Sequence, residues 1–588
     1  MLIFIMREPI TWVEIDIDRC QLVYGTAPCV AVLGTTGVRK CYNSFKTCQD
    51  KDNYDLGSIT YKFYKPQSVI PKEVGSFPCL LSVSASEGTV NIAGTDDKIS
   101  SFGKRERITV KMQDFPNGDV YSDKYSSGRI DGTAQTDEPG YKPIERGTFF
   151  GKLRSRNPYY AGRAIRVNEA FIDGGVLSNI VTRHYIITDM DVDVMGNTAT
   201  FTAKDILTLA DDKKAVAPKP SSGSLLESIS ADATTFNLSP QGIGAEYPSS
   251  GRVVVGTEIM DYTRSIDVMT VVRGTRNTDA ASHSDGDGVQ EVYSVTGGRI
   301  DVVTADLLVN YANVDPTFID TVAWSLEADT WAPTLLLTAD ITKPTGVKKL
   351  IGELSVMGVS FWWDRQGQEV GFKVNHPPFD ETIHHINDES NIKDVSVDDR
   401  DDDRLTQIAI YSVIANPTLS EKDGNSYKRL RAIVDIDAQS VNEFADTRIR
   451  QIFIRWLGDG NESLLRIIGK RLINRFRWSP SRYKIRTTYD ETIKLADVLT
   501  VNSRITQDDT GNNVDRSMQV IGIKYDKPKH EMVITAQLFQ FDQRYGRIAE
   551  NSRPVYSLSS DEEKEKGIYF ADNITSKMSD GTDAYKFV

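Results

Sequence analysis

Histidine is scarce, with six scattered through 588 residues, and cysteine numbers only five. No run approaches the roughly 20 apolar residues of a membrane span. A surplus of positive charge is also missing. The chain has 69 Lys and Arg against 82 Asp and Glu, a formal net charge of −13, so it lacks the broad electrostatic footprint of a nucleic-acid-binding chain. The opening Met1–Met6 is apolar but short, with no basic n-region and no small-residue cleavage site. It reads as a first β-strand rather than a secretory signal, which predicts a protein made and kept in the cytoplasm until something else exports it. The signatures of common enzymes are absent: no P-loop, no HExxH and no GxSxG. Paired carboxylates abound, yet none stands in a context that raises one pKa above the other. The expectation is a chain without a reacting residue.

What is present is 39% hydrophobic content and high but mixed charge, the mark of a globular chain with several cores. At roughly 150 residues per domain, about four domains are expected. Four of the five cysteines, Cys20, Cys29, Cys41 and Cys48, crowd into one window with the pattern C-x8-C-x11-C-x6-C, and Cys79 stands apart. Disulfides need an oxidising compartment, and nothing argues for secretion. Structural zinc sites show tighter C-x2-4-C knuckles. Iron–sulfur clusters take four thiolates from loops at irregular spacing. On spacing alone a metal or cluster site leads, while disulfides and four unrelated thiols stay open. Cys79 reads as a small buried hydrophobe.

The words around these cysteines are more specific. Asp18-Arg19-Cys20, Ala27-Pro28-Cys29 and Cys41 to Asp50 (CYNSFKTCQD) resemble the cluster-binding domain of siphophage baseplate hub proteins of the tail tip, such as those of lambda and of gene transfer agents. The resemblance implies that Cys20, Cys29, Cys41 and Cys48 hold an iron–sulfur cluster of the [4Fe–4S] type, and that its role is structural. Phe149-Phe150-Gly151-Lys152-Leu153 and Thr202-Ala203-Lys204-Asp205 resemble the family's first barrel. The run from Met532 to Phe541 with Arg544 to Ile548 resembles the closing strand of its second barrel. Asp497-Val498-Leu499 resembles a strand of that barrel, with Ala496 where the family has glycine.

The expected fold class is mainly β with α+β parts: two tandem hub β-barrels, an intervening α/β region, an inserted small β domain and an N-terminal cysteine-rich arm. Residues 1–55 form the arm and 56–210 the first barrel, with alternation at Ile108, Val110 and Met112. Gly147 to Leu153 reads as a strand ending in a polar-aromatic loop. Residues 211–223, with Pro218, Pro220 and Ser221-Ser222-Gly223, read as an extended, solvated linker. Residues 224–295 read as a self-contained β module. Within 298–396, Val347, Leu350, Ile351 and Leu354 mark a helix begun after Pro344 and ended by Gly358. Val359, Phe361 and Trp363 then alternate as a strand into a hairpin turned at Asp364 to Gly367. Residues 404–550 read as the second barrel, interrupted by a basic helix capped by Asn461 and stopped by Pro480. Residues 551–588 are a polar extension that orders against a neighbour.

Other features have bland readings. His283, near Asp285 and Asp287, is a turn histidine rather than a catalytic base. Trp362 and Trp363 are packing residues rather than a sugar platform. Asp398, Asp399, Asp401, Asp402 and Asp403 form a solvated loop, since calcium ligands would alternate and end in a bidentate Glu. Arg466, Lys470, Arg471, Arg475 and Arg477 form the basic part of a helix whose apolar stripe is Leu464, Leu465, Ile468, Leu472 and Phe476. That face is expected to pair with an acidic neighbour.

The resemblance further implies a homotrimer whose two barrels per chain make a pseudo-sixfold ring, matching a sixfold tube to a threefold fibre. Implied partners are the distal tail protein, the central tail fibre and the tape measure protein, with genomic DNA passing without specific binding and the host envelope met at infection. The implied location is the virion tail tip, assembled in the host cytoplasm, and the implied action is closing the tail tube and opening for DNA ejection. Two other classes stay open: a disulfide-stapled adhesin binding host glycans, and a wall hydrolase with hidden carboxylates.

Overall fold

The computed structural model describes residues 8–538, apart from 68–69, 93–101, 120–123, 126–141, 377–382, 400–402, 441–445, 478–480, 527–530 and single residues 194, 366, 437, 461 and 491. Met1–Met6, Asn461, Pro480, Arg544 to Ile548 and the C-terminal extension lie outside the described residues. The fold is mainly β. No described helix is long and apolar enough to cross a membrane.

The first sheet contains strands β1 (Glu8–Cys20), β2 (Leu56–Tyr64), β3 (Leu80–Ala85), β5 (Arg107–Gln113), β6 (Ala164–Asp173), β7 (Val176–Asp193) and β8 (Thr198–Lys204); β4 (Gly88–Thr89) lies between β3 and β5 in the chain. Its order is β2-β1-β6-β7-β8-β5-β3. Residues 77–79 join its two edges: Phe77 exchanges backbone hydrogen bonds with Lys62 and Tyr64 on β2, and Cys79 accepts one from Gln113 on β5. The period-two pattern at Ile108, Val110 and Met112 points all three inward. β1, expected in the arm, is therefore a barrel strand, and the arm is the stretch between Cys20 and Leu56, which pair directly across the β1–β2 ladder.

Gly147 to Leu153 is not a strand. Residues Phe149–Arg156 form a helix capped by the Thr148 hydroxyl, which accepts from the Gly151 amide at 3.3 Å. Phe149, Phe150 and Leu153 share its buried face, and Phe149 packs on Phe77 at a 4.8 Å centroid separation. Apolar residues at i, i+1 and i+4 serve a helix as well as a strand, and the cap decides between them.

The expected linker is only partly solvated. Val216–Ala217 (β9) pairs with Thr345–Gly346 (β18), and Ala215, Ala217 and Pro218 are buried. The inserted module has its own six-stranded sheet and its own core around Leu225, Val253, Met260, Met269 and Val289. Beyond it, the expected helix runs Val347–Ser355 with Val347, Leu350, Ile351 and Leu354 buried. Its hairpin, β19 (Val359–Asp364) with β20 (Glu369–Val374), departs from the expected alternation because all six positions of β19 are buried. That strand is covered on both faces, and Trp362 and Trp363 pack inside.

The second β-sheet has the order β21-β27-β28-β29-β26-β22, formed by β21 (Ile383–Asn387), β22 (Ile392–Asp399), β26 (Ser481–Thr488), β27 (Val498–Asn502), β28 (Arg516–Asp526) and β29 (Glu531–Leu538). Its two edge strands are consecutive in the chain across residues 388–391, so the sheet curls on itself. β4 of the first barrel pairs with β28. The described residues between 404 and 477 do not belong to this sheet. They form a three-stranded sheet and the helix Glu462–Phe476, which enters the large central core through Leu464, Leu465, Ile468, Leu472 and Phe476.

Two predictions follow from buried positions. Glu258 is fully buried in the inserted module, where burial alone would raise its pKa. The Arg273 guanidinium, held bidentate at 2.8 Å, the Ala281 and Gly274 amides and His283 outweigh that and hold it at about 2. A depressed carboxylate stabilises the fold above its unfolded pKa of roughly 4.3 and loses that contribution as pH falls toward about 2. Glu258→Ala is expected to destabilise the module by about 3–5 kcal/mol, read as lost hydrogen-exchange protection in residues 250–275. Ala496 has φ +67°, a left-handed conformation that costs a non-glycine residue roughly 1–2 kcal/mol. Ala496→Gly is expected to stabilise the second sheet by about 1 kcal/mol in urea unfolding.

Candidate functional site: the four-cysteine cleft

The arm brings together what the sequence scatters. Cys20, Cys29, Cys41 and Cys48 all line one small cleft, with Leu22, Tyr24, Asn43, Ser44, Asp50, Asn53 and Tyr54 completing its wall. Cys20, at the end of β1, is buried, and its amide donates to the Asn43 carbonyl at 2.7 Å. Cys29 donates its amide to the Thr26 carbonyl at 3.0 Å. Cys48 closes the short turn Phe45–Thr47, and its thiol donates to the Asp50 carbonyl at 3.1 Å. The Asp50 carboxylate accepts the Val30 amide at 2.8 Å, which ties the Cys29 loop to the Cys48 loop. Gln49 accepts from the Tyr24 and Thr36 hydroxyls at 2.9 and 3.0 Å.

The arm is braced on the first barrel. Lys46 donates to the Ser155 carbonyl at 3.0 Å, and the Arg156 guanidinium lies 3.8 Å over the Tyr42 ring. The Tyr24 amide donates to the Tyr125 hydroxyl, and the Lys124 amide donates to the Asn43 side chain at 3.0 Å. The misread helix is therefore the arm's support.

None of the five cysteines forms a disulfide. Burial pushes the Cys41 thiol up to about 11, and the other three cysteines of the cleft push the same way. Burial likewise raises the Cys48 thiol, with Cys20 and Cys29 adding to it. Cys41 and Cys48 thus share a cleft whose burial disfavours their ionisation. Among the described residues, no three His, Cys, Asp or Glu side chains converge tightly enough to hold a single metal ion. Cys79 is elsewhere, buried in the core of the first barrel.

The other singled-out residues resolve as follows. His283 is 2.8 Å from the buried Glu258 and 4.0 Å from Asp287, inside the module's ion network. Asp398 and Asp399 do not form a loop: they belong to β22, opposite Arg482 and Ser481, and Asp403 pairs with Arg482 at 2.9 Å. Asp401 and Asp402 lie outside the described residues. Of the basic helix, Arg475 is not on a solvated face. It is buried, donating to Asn375 at 3.0 Å and Gln519 at 2.6 Å, and burial lowers its pKa to about 9.

A second polar site escaped sequence reading. Glu106 and Asp205 are buried together where the first barrel, the β19–β20 hairpin and the second sheet meet. Burial raises the pKa of Asp205 to about 6 and raises that of Glu106 too, against Arg105 and Arg365. Arg365 sits 3.1 Å from Glu106, and the Glu106 amide donates to Asp205 at 3.0 Å. A carboxylate pair with raised pKa does exist, then, as an ion-paired joint between three parts of the chain. Its sequence context, Arg105-Glu106-Arg107, reads as ordinary surface and gives no signal.

No family model matches the chain, and no curated protein matches it. Among solved structures it is similar to the 43 kDa tail protein of prophage MuSo2 from Shewanella oneidensis (10% identity, 78% of this chain and 97% of that one, TM-score 0.34). It is similar at the same level to the tail protein from Neisseria meningitidis MC58 (7% identity, 78% and 97%, TM-score 0.34). The prophage tail protein gp18 from Listeria monocytogenes matches over 64% of this chain and 86% of its own (11% identity, TM-score 0.29). At such scores the function has to be argued from this chain's own residues.

In metal-free native protein, iodoacetamide is expected to label the partly exposed Cys29, Cys41 and Cys48 before the buried Cys20 and Cys79. Cys79, pushed up to about 12 by burial and by Asp114, should react last. Peptide mass spectrometry of timed samples checks this, and early labelling of Cys79 contradicts it.

Proposed function

We propose that this chain is a structural hub of a long-tailed phage tail tip, and that its arm holds an iron–sulfur cluster on Cys20, Cys29, Cys41 and Cys48. The observation that carries the reading is the convergence of those four cysteines on one cleft. Four sulfur donors suit iron or zinc. A single zinc ion would need all four sulfurs at about 2.3 Å, close to one another. The four donors are spaced more widely than the C-x2-4-C knuckles of structural zinc, which favours an iron–sulfur cluster. Such a cluster, when bound, supplies four iron–thiolate bonds. The arm's own residues orient the donors: Asp50 and Gln49 tie the loops, and Lys46 and Tyr42 dock them on the barrel.

The two tandem β-sheets support the hub reading, because three copies would present six similar sheets to a sixfold tube. In this reading the chain is not an enzyme. It closes the tube, joins the distal tail ring to the central fibre, and opens for DNA by moving its parts. The free thiols weigh against the disulfide-stapled adhesin.

Protein purified without oxygen is expected to be brown, with absorbance near ~400 nm from thiolate-ligated iron. Cys29→Ser should lose most of its iron while Cys79→Ser keeps it; unchanged iron in Cys29→Ser removes Cys29 from the ligand set. A native mass showing only monomer in assembled tails would contradict the trimer, and cleared peptidoglycan in zymography would overturn the absence of catalysis.

A further inference from the structure

The cleft contains one polar group for which the rest of the chain has no use. The Tyr54 hydroxyl is buried, lines the cysteine cleft and has no hydrogen-bond partner among the described residues. A buried hydroxyl left unsatisfied is costly, so its placement asks for a ligand. The neighbouring polar side chains are already committed. Asn43 accepts from the Lys124 amide, Ser44 shares a 2.9 Å hydrogen bond with Thr47, and Asn53 donates to Asp50 at 3.1 Å. Tyr24, the other tyrosine of the cleft, gives its hydroxyl to Gln49. The Tyr54 ring is held in place: Phe45 meets it edge-on at 5.2 Å, and Lys51 lies 5.2 Å over the opposite partner of that pair, the Phe45 ring.

We infer that the Tyr54 hydroxyl donates a hydrogen bond to a sulfur atom of the cluster held by the four cysteines, and so raises that cluster's reduction potential. The inference rests on the cluster reading above. A phenol, with an ordinary pKa of about 10, keeps its proton across the physiological range. Thiolate and sulfide sulfurs have no proton to offer, which makes the hydroxyl the donor. A donor aimed at cluster sulfur stabilises the extra negative charge of the reduced state and moves the potential upward.

The test is a pair of opposed changes in the full chain, loaded without oxygen. Tyr54→Phe removes only the donor, and replacement of Tyr54 by 3-fluorotyrosine keeps the ring and makes the hydroxyl a stronger donor. With iron and sulfide content equal to the unaltered protein, the midpoint potential is expected to fall in Tyr54→Phe and to rise with 3-fluorotyrosine. Equal potentials in all three loaded proteins overturn the inference. If Tyr54→Phe does not load, the fluorotyrosine protein alone decides, by a raised or an unmoved potential. Absence of iron from the unaltered protein is a different failure, that of the cluster reading itself.

Discussion

A stretch of chain that buries little apolar surface has to be fixed by hydrogen bonds and by the places where it leaves and rejoins the fold. That constraint governs the arm. Between Cys20 and Leu56 the chain makes a long excursion with almost no regular structure, only the short turn Phe45–Thr47. Such a stretch buries too little apolar surface to fix itself. Its hydrogen bonds gather the loops and tie them to the barrel.

The rest of the molecule supplies the anchor. β1 and β2 pair at Cys20 and Leu56, so the arm leaves and returns at adjacent points of one ladder. The helix Phe149–Arg156 rests its aromatic face in the barrel and offers Ser155 and Arg156 to the arm. Further along, β4 crosses to the second sheet, and the buried Glu106–Arg365 pair lies where both sheets meet the hairpin. Breaking such a pair costs more than replacing it with apolar residues would. The joint thus fixes how the parts sit together, rather than adding much to stability.

Two of the three misreadings share a cause. Phe149-Phe150-Gly151-Lys152-Leu153 is too short for periodicity to separate helix from strand, and a single Thr148 cap settled it. The residues around Ala217 look like a linker by composition, yet β18 recruits them from more than a hundred residues away. Arg475 looks like its basic neighbours until the turn of the helix places it against Asn375 and Gln519. In the last two cases the deciding partner is distant in sequence.

The sequence by itself determined the mainly β class and the helix at Val347–Ser355, because periodicity and turn residues are local properties. Only the tertiary structure decided that β1 belongs to the barrel, that Ile408, Ile410 and the helix Glu462–Phe476 join the central core, and that the Tyr54 hydroxyl, Glu106 and Glu258 are buried polar groups. Burial is a property of what packs around a residue, and a chain read in one dimension does not contain it.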